Sequence, residues 1–152
     1  MENPVHRIRK ESNMTQRDVA SRANVTTQVI TRLEAGTLTE IPMDILRDLA
    51  FISGQSSMSI VSEYEEWIDE ELAKVKLMPS NNEDNDPSQP HLFNSWMRFT
   101  CQLNGLPPTV HALAGLLKIH PYVLDKWSKG KMQNCPQQLI ERIKKIRRLQ
   151  NG

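Results

Sequence analysis

Apolar residues recur along this chain at three- and four-residue steps, in short runs punctuated by Thr, Asn, Gly and Pro. Val5 and Ile8, then Val19 and Ala20, then Ile30 and Leu33, then Ile45, Leu46 and Leu49 have the spacing of the inward faces of four short helices. A longer stripe follows over residues 58–78: Ile60, Tyr64, Trp67, Ile68, Leu72 and Val75 share one helical face. Glu65, Glu66, Asp69 and Glu70 fall mostly off that stripe, as a solvated face does. Phe93, Trp96, Met97 and Leu103 mark a further helix and are assigned to its core side. No segment alternates with the period of two that a strand requires, so the chain reads as all-α.

The punctuation between the second and third apolar pairs is informative. Thr15 can cap a helix with its hydroxyl, and Asp18 three residues on completes a capping box. Asn24 stands where the chain must turn sharply, and Asn tolerates the left-handed conformation better than most non-glycine residues. Val25 plugs the corner, Thr26 caps the next helix, and Gly36 ends it as a left-handed terminator. Ala20 is small where two steeply crossing helices leave little room. This is a helix-turn-helix arrangement. Helices this short are not stable alone, so flanking helices over residues 4–12 and 42–52 are expected to close the core.

The same steric code returns after 94 residues without a gap. Thr15 falls on Thr109, Val19 on Leu113, Ala20 on Ala114 and Val25 on Ile119. Ile30 falls on Leu124, Leu33 on Trp127, Gly36 on Gly130 and Pro42 on Pro136. Ile45, Leu46 and Leu49 fall on Leu139, Ile140 and Ile143. A second, divergent helix-turn-helix is therefore expected at residues 91–150. Its corner carries Lys118, a weaker choice for a left-handed backbone, and Pro121 suits the first turn of its second helix.

Residues 79–90 hold three prolines, three asparagines, three acids and no apolar side chain. Such a stretch cannot bury enough surface to offset its ordering entropy. It is expected to be a flexible linker between a first domain at 1–78 and a second at 91–152. Fully extended, it would reach roughly 40 Å at about 3.3 Å per residue.

The net charge of +1 conceals three unlike regions. Residues 1–57 are neutral, residues 58–90 sum to −7 and residues 91–152 sum to +8. The basic third is what a polyanion attracts. Its cations include Lys126, Lys129 and Lys131, then Arg142, Lys144, Lys145, Arg147 and Arg148. Some of these are expected to touch a DNA backbone, the alternative being a solvated helix end suited to the helix dipole. Cys101 and Cys135 are expected as free thiols. With His111 and His120 they lack the close ligand pair of a zinc site, so no metal and no cofactor are expected. No eighteen-residue apolar run spans a membrane, and no secretory signal opens the chain, so a cytoplasmic location is expected. No nucleophile with its base and no phosphate-cradling glycine loop is evident, so the chain does not read as an enzyme.

The first motif resembles the phage-repressor and Cro type of helix-turn-helix DNA-binding domain, of the XRE kind. Thr15-Gln16, Ala20, Val25-Thr26, Ile30 and Leu33-Glu34-Ala35-Gly36 carry the resemblance, over residues 4–56. Asn24 departs from the commoner glycine at the corner. The resemblance implies that Gln16, with Arg17, and Thr26 meet phosphates at helix N-termini. It implies that Thr27, Gln28, Thr31 and Arg32 face the major groove, where Gln pairs with adenine and Arg with guanine. Arg9 and Glu34 match a partly buried structural ion pair of some members. Carried to the second motif, the groove face becomes Tyr122, Asp125, Lys126, Lys129 and Lys131. Trp127 falls on a core position and not on a base-stacking one.

Together these readings lead to a sequence-specific double-stranded DNA-binding transcriptional regulator, a repressor of phage or mobile-element type with two reading helices. Repressor-like half-sites lie about 34 Å apart, one turn of DNA. A single chain spanning two of them would act as a monomer on an asymmetric operator. A homodimer through helix 58–78 is the other arrangement, and a protein-binding, antitoxin-like regulator is the alternative function.

Overall fold

A computed structural model of the chain describes residues 1–77 and 86–151. Every regular element among them is helical. They divide into two compact units, Met1–Glu70 and Glu71–Gly152, each described here by itself.

The first unit starts with α1 (Pro4–Glu11), α2 (Gln16–Ala23), α3 (Thr27–Ala35) and α4 (Met43–Ser53). Its local signals act as stop and start codes. Thr15 accepts from the Asp18 N–H while Asp18 accepts from the Thr15 N–H, so the capping box closes in both directions. Asn24 takes φ 55° and ψ 45°, the left-handed corner that turns α2 into α3. Gly36 ends α3 at φ 80°. Thr26 occupies the cap position of α3 with extended backbone, but its hydroxyl makes no cap hydrogen bond, contrary to its expected role. Val5, Ile8, Val19, Ala20, Ile30, Leu33, Ile45 and Leu49 are all buried and form the core; Val25 at the corner is half-buried.

α5 (Ser57–Ala73) begins in the first unit and ends in the second. Ile60, Tyr64, Trp67, Ile68 and Leu72 of its apolar stripe are buried, and so is Val75, which lies past the end of α5 because the helix stops at Ala73, short of the expected residue 78. At the middle of α5, the Tyr64 hydroxyl reaches the backbone carbonyls of Leu38 at 2.7 Å and Leu33 at 3.2 Å. It thereby adds a bond to the Leu33 carbonyl, which also accepts from the Gly36 N–H and the Asn3 amide, and ties α5 to Leu38 in the segment after α3.

The second unit contains α6 (Pro90–Leu103), α7 (Val110–Leu117), α8 (Pro121–Ser128) and α9 (Gln137–Asn151). Phe93, Trp96, Met97 and Cys101 of α6 are buried, as are Leu113, Ala114, Ile119, Leu124, Trp127, Leu139 and Ile143. Leu103 is not: it ends α6 at 43% exposure, because the helix stops there and the chain turns at Asn104.

Of the expected linker, residues 79–85 lie outside the described residues. Its described end, Asp86–Gln89, makes a turn, and the Pro87 carbonyl accepts from the Trp127 indole at 3.0 Å. On the other side, the Asn104 side chain brackets Lys76, accepting from its N–H at 3.0 Å and donating to its carbonyl at 2.9 Å. Gln150 donates to the Val75 carbonyl. The residues flanking 79–85 on both sides are therefore hydrogen-bonded within the second unit.

Candidate nucleic-acid interface

The outer face of α3 carries Thr27, Gln28 and Thr31, all exposed, and Arg32, half-buried. Arg32, Thr27, Gln28 and Thr31 thus share one polar surface with no acid on it. Because Thr26 does not cap the helix, the first N–H groups of α3 lack that partner. Such a terminus favours an anion. Gln16 stands at the start of α2, half-buried. Its amide donates to Glu34 Oε2 at 3.2 Å and its carbonyl accepts from the Thr31 hydroxyl at 3.1 Å. One amide N–H remains for an outside acceptor. Arg17 beside it is exposed.

Behind this face lies a charged cluster centred on Glu34. Arg9 meets it with two parallel bonds, Nε to Oε2 at 3.1 Å and the terminal nitrogen to Oε1 at 2.8 Å, with both side chains 9% exposed. The fork of Arg suits a carboxylate in this way. His6 Nδ1 lies 2.6 Å from Glu34 Oε1, and Arg9 also donates to the Met14 carbonyl at 3.0 Å. Burial alone would raise the Glu34 pKa, but the bonds from Arg9, His6 and Gln16 outweigh it and hold the carboxyl below its ordinary value. Asn3 completes the buttress by donating to the carbonyls of Leu33 and Glu34. The cluster fixes α1, α2 and α3 to one another directly beneath the polar face of α3.

Lys10, Asn13 and Met14 join Arg9, Thr15, Gln16, Arg17 and Thr27 around an open groove at the start of α2. Lys10, Asn13 and Met14 carried no sequence signal of this placement, which depends on how α1 packs beside α2. Asn13 takes φ 54° to turn the chain there.

In the second unit the corner between α7 and α8 has the same left-handed turn as the first and shares its main backbone bonds, although the Lys118 N–H bonds Ala114 alone where the Asn24 N–H bonds both Ala20 and Ser21. Lys118 takes φ 57° and ψ 46° where Asn24 stood. The Ile119 N–H donates to Ala114 at 3.0 Å, as Val25 does to Ala20 at 2.9 Å. The Thr109 hydroxyl caps Ala112, and Gly130 lies at φ 70°. The Lys131 N–H returns to Lys126 at 2.9 Å, as Thr37 does to Arg32 at 3.0 Å.

The outer faces differ. Asp125 and Lys129 form an ion pair at 3.0 Å, and the Lys126 ammonium sits 4.8 Å above the Tyr122 ring, which is 58% exposed. The start of α8 is capped, His120 Nδ1 accepting from the Tyr122 N–H at 3.1 Å. Lys131 is exposed beside this surface. Burial lowers the Lys118 amine's pKa, partly opposed by the Glu71 carboxylate. Along α9, Lys144 and Arg148 are exposed and Lys145 and Arg147 half-buried. Arg142 is buried at 8% exposure, so it is not among the cations available to a backbone phosphate.

Cys101 and Cys135 are free thiols, the first buried and the second half-buried, and burial raises the pKa of both. Among the described residues no group of three or more His, Cys, Asp or Glu is placed to hold a metal ion, and no helix is long and apolar enough to cross a membrane.

Comparison with known proteins gives one result. Residues 5–51 match the model of the helix-turn-helix family, of the XRE type, whose members are DNA-binding transcription regulators. The match takes in α1 to α4 and the whole α3 face. No curated protein and no solved structure matches the chain.

Proposed function

We propose that this chain is a sequence-specific repressor of phage or mobile-element type that reads an asymmetric operator with two helix-turn-helix units. DNA binding by the first unit is supported by its family match and by the acid-free polar face of α3. The single observation that carries the wider reading is the repeated corner: the same backbone bonds, small crossing residue and left-handed turn recur 94 positions on. Thr27, Gln28, Thr31 and Arg32 are the base readers of the first unit, with Gln16, Arg17 and Thr26 on phosphates. Tyr122, Asp125 and Lys126 take the equivalent role in the second, with Lys129 and Lys131 toward the backbone. Because the two faces differ in chemistry, the two half-sites differ in sequence.

A random-oligonucleotide selection with the full chain, followed by DNase footprinting, tests this. Two unlike protected patches about 34 Å apart are expected. Protection of a single patch overturns the two-reader reading and leaves the first unit as the only reader.

One observation favours a second reading for the second unit. The Asp125–Lys129 pair and the Lys126–Tyr122 stack satisfy much of the α8 surface internally. Such a face suits a protein partner, as in an antitoxin-like regulator. Salt dependence separates the two: combined Lys129→Ala and Lys131→Ala reduces the slope of log affinity against log salt by about two if both meet phosphate, at about 0.9 per contact. An unchanged slope points to the protein-binding role.

A further inference from the structure

At the start of α2, both ends of the Gln16 amide are engaged by α3. Its Nε2 donates to Glu34 Oε2 at 3.2 Å, and its Oε1 accepts from the Thr31 hydroxyl at 3.1 Å. Charge dictates the direction of these bonds. Arg9 grips both carboxylate oxygens of Glu34, and an ionised carboxylate only accepts. The amide nitrogen must therefore face Glu34. The amide oxygen is left toward Thr31, whose hydroxyl has to be the donor. The same hydroxyl lies 3.2 Å from the Thr27 carbonyl, which the ladder of α3 already serves, so its single proton is shared between two acceptors. The Thr31 proton is thus spent inside the protein. Toward a base edge Thr31 offers a methyl group and lone pairs, and no donor.

We propose that Thr31 is a positioning residue for Gln16: its hydroxyl locks the amide so that the second Nε2 hydrogen is already aimed when a DNA phosphate arrives. This role rests on the reading of Gln16 as a phosphate contact. Gln16 lines the open groove at the start of α2 together with Lys10, Arg17 and Thr27. Lys10 and Arg17 are exposed there, and cations beside a helix N-terminus draw a phosphate. The amide is planar, so fixing its oxygen and one hydrogen fixes the direction of the other. A free glutamine must order its whole side chain on binding. Pinned at the nitrogen by Glu34 and at the oxygen by Thr31, Gln16 meets DNA with that ordering done. Without the Thr31 hydroxyl the amide is held at one point and swings about the Glu34 bond.

Fluorescence anisotropy with the full chain tests this on the duplex recovered by the oligonucleotide selection and on a scrambled duplex of equal length. Thr31→Val keeps the shape and removes the hydroxyl. It weakens binding to both duplexes alike by about two- to tenfold, the cost of ordering one side chain. The dependence on salt is unchanged, because neither Thr31 nor Gln16 is charged. On the scrambled duplex Thr31→Ser, which keeps the hydroxyl, recovers most of the loss. Gln16→Ala weakens binding about tenfold or more, and in that background Thr31→Val has no further effect. In the free chain, nitrogen relaxation shows a rigid Gln16 side-chain amide that becomes mobile in Thr31→Val. Thr31 is exposed, so Thr31→Val retains the fold, and circular dichroism checks this.

A Thr31→Val loss confined to one base pair, or one of the same size in the Gln16→Ala background, overturns the proposal and leaves the Gln16 phosphate contact standing. So does a Thr31→Ser variant as weak as Thr31→Val on the scrambled duplex, or a Gln16 amide equally mobile with and without the hydroxyl. A Gln16→Ala variant that binds both duplexes as well as the original overturns the phosphate contact itself, and the positioning role with it.

Discussion

At the corner of each helix pair stands a left-handed residue: Asn24 in the first unit, Lys118 in the second. Their backbone angles agree to within two degrees in φ, 55° against 57°. What surrounds the two corners differs. In the first unit the end of α3 is bolted down by charge, with Glu34 gripped by Arg9 and touched by His6 and Gln16. In the second, the equivalent position is Ser128, whose hydroxyl donates to Asn94 Oδ1 at 2.7 Å while its carbonyl accepts from the Asn94 amide at 3.1 Å. One backbone geometry is thus held by an ionic clamp in one place and by a neutral side-chain pair in the other. The geometry follows from sterics, namely the small crossing residue, the plug and the left-handed turn. The clamp is a separate choice.

That difference sets the size of the largest expected effect. Glu34→Ala strands the Arg9 guanidinium in a buried site and should cost on the order of 3–5 kcal/mol. Ser128→Ala removes one neutral hydroxyl and should cost about 1 kcal/mol. Urea denaturation followed by hydrogen exchange in each unit measures both, and equal losses would end the distinction between the two clamps. The same carboxylate confers a pH signature on the first unit alone. Its folded pKa lies below the unfolded value of about 4.3, so its stabilisation is complete above that value and drains away as pH falls through the folded pKa. An acid titration of stability should therefore be steeper for the original chain than for Glu34→Gln.

Recognition should divide along the same line. Arg32→Ala removes a candidate guanine reader from a face with no acid on it and should cost about 1–3 kcal/mol at one base pair. Lys126→Ala disturbs a side chain already engaged with the Tyr122 ring, and should cost less and with little base preference. Competition binding against single-base operator variants measures each. A loss for Arg32→Ala that is uniform across all sequences would instead make it a phosphate contact.

The corners themselves supply the smaller tests. Lys118→Gly should stabilise the second unit by about 1 kcal/mol, since lysine bears the left-handed penalty that glycine escapes. Asn24→Gly should gain only a few tenths, because Asn already tolerates that region. Thr15→Ala and Thr109→Ala should each cost about 1 kcal/mol, as each hydroxyl accepts from the N–H three residues on at the start of its helix. Unequal costs would show that the two caps carry different loads. Differential scanning calorimetry of the full chain follows all four.

What could be read from the sequence was local. The Thr15–Asp18 box, the turns at Asn24 and Gly36 and the stripe from Ile60 to Val75 each depend on residues within a few positions of one another, so spacing alone exposed them. The buttress around Glu34 was only partly legible. His6 and Asn3 enter it through the register of α1 and its cap against α3, and nothing in their own neighbourhood announces this. Leu103 carried the right period and still ended outside the core, because period cannot say on which residue a helix stops. Arg142 belonged to a cationic run, yet lies on the inward side of α9 beside Leu139, Ile143 and Ile146, which are buried with it. Charge composition has no view of which member of a run turns inward. Thr26 had the right chemistry for a cap and the extended backbone of one, yet its hydroxyl makes no cap hydrogen bond.

The reach of Tyr64 has a practical consequence for anyone excising the first reader. Similarity to the helix-turn-helix family stops at residue 51, and a fragment trimmed there would look complete by homology. It would lack the phenol that bonds the carbonyls of Leu33 near the end of α3 and of Leu38 just beyond it. The exposed end of such a fragment would fray, and its affinity for an operator would underestimate what the intact polypeptide achieves. α3 ends at Ala35, but part of its anchorage is written nearly thirty positions downstream.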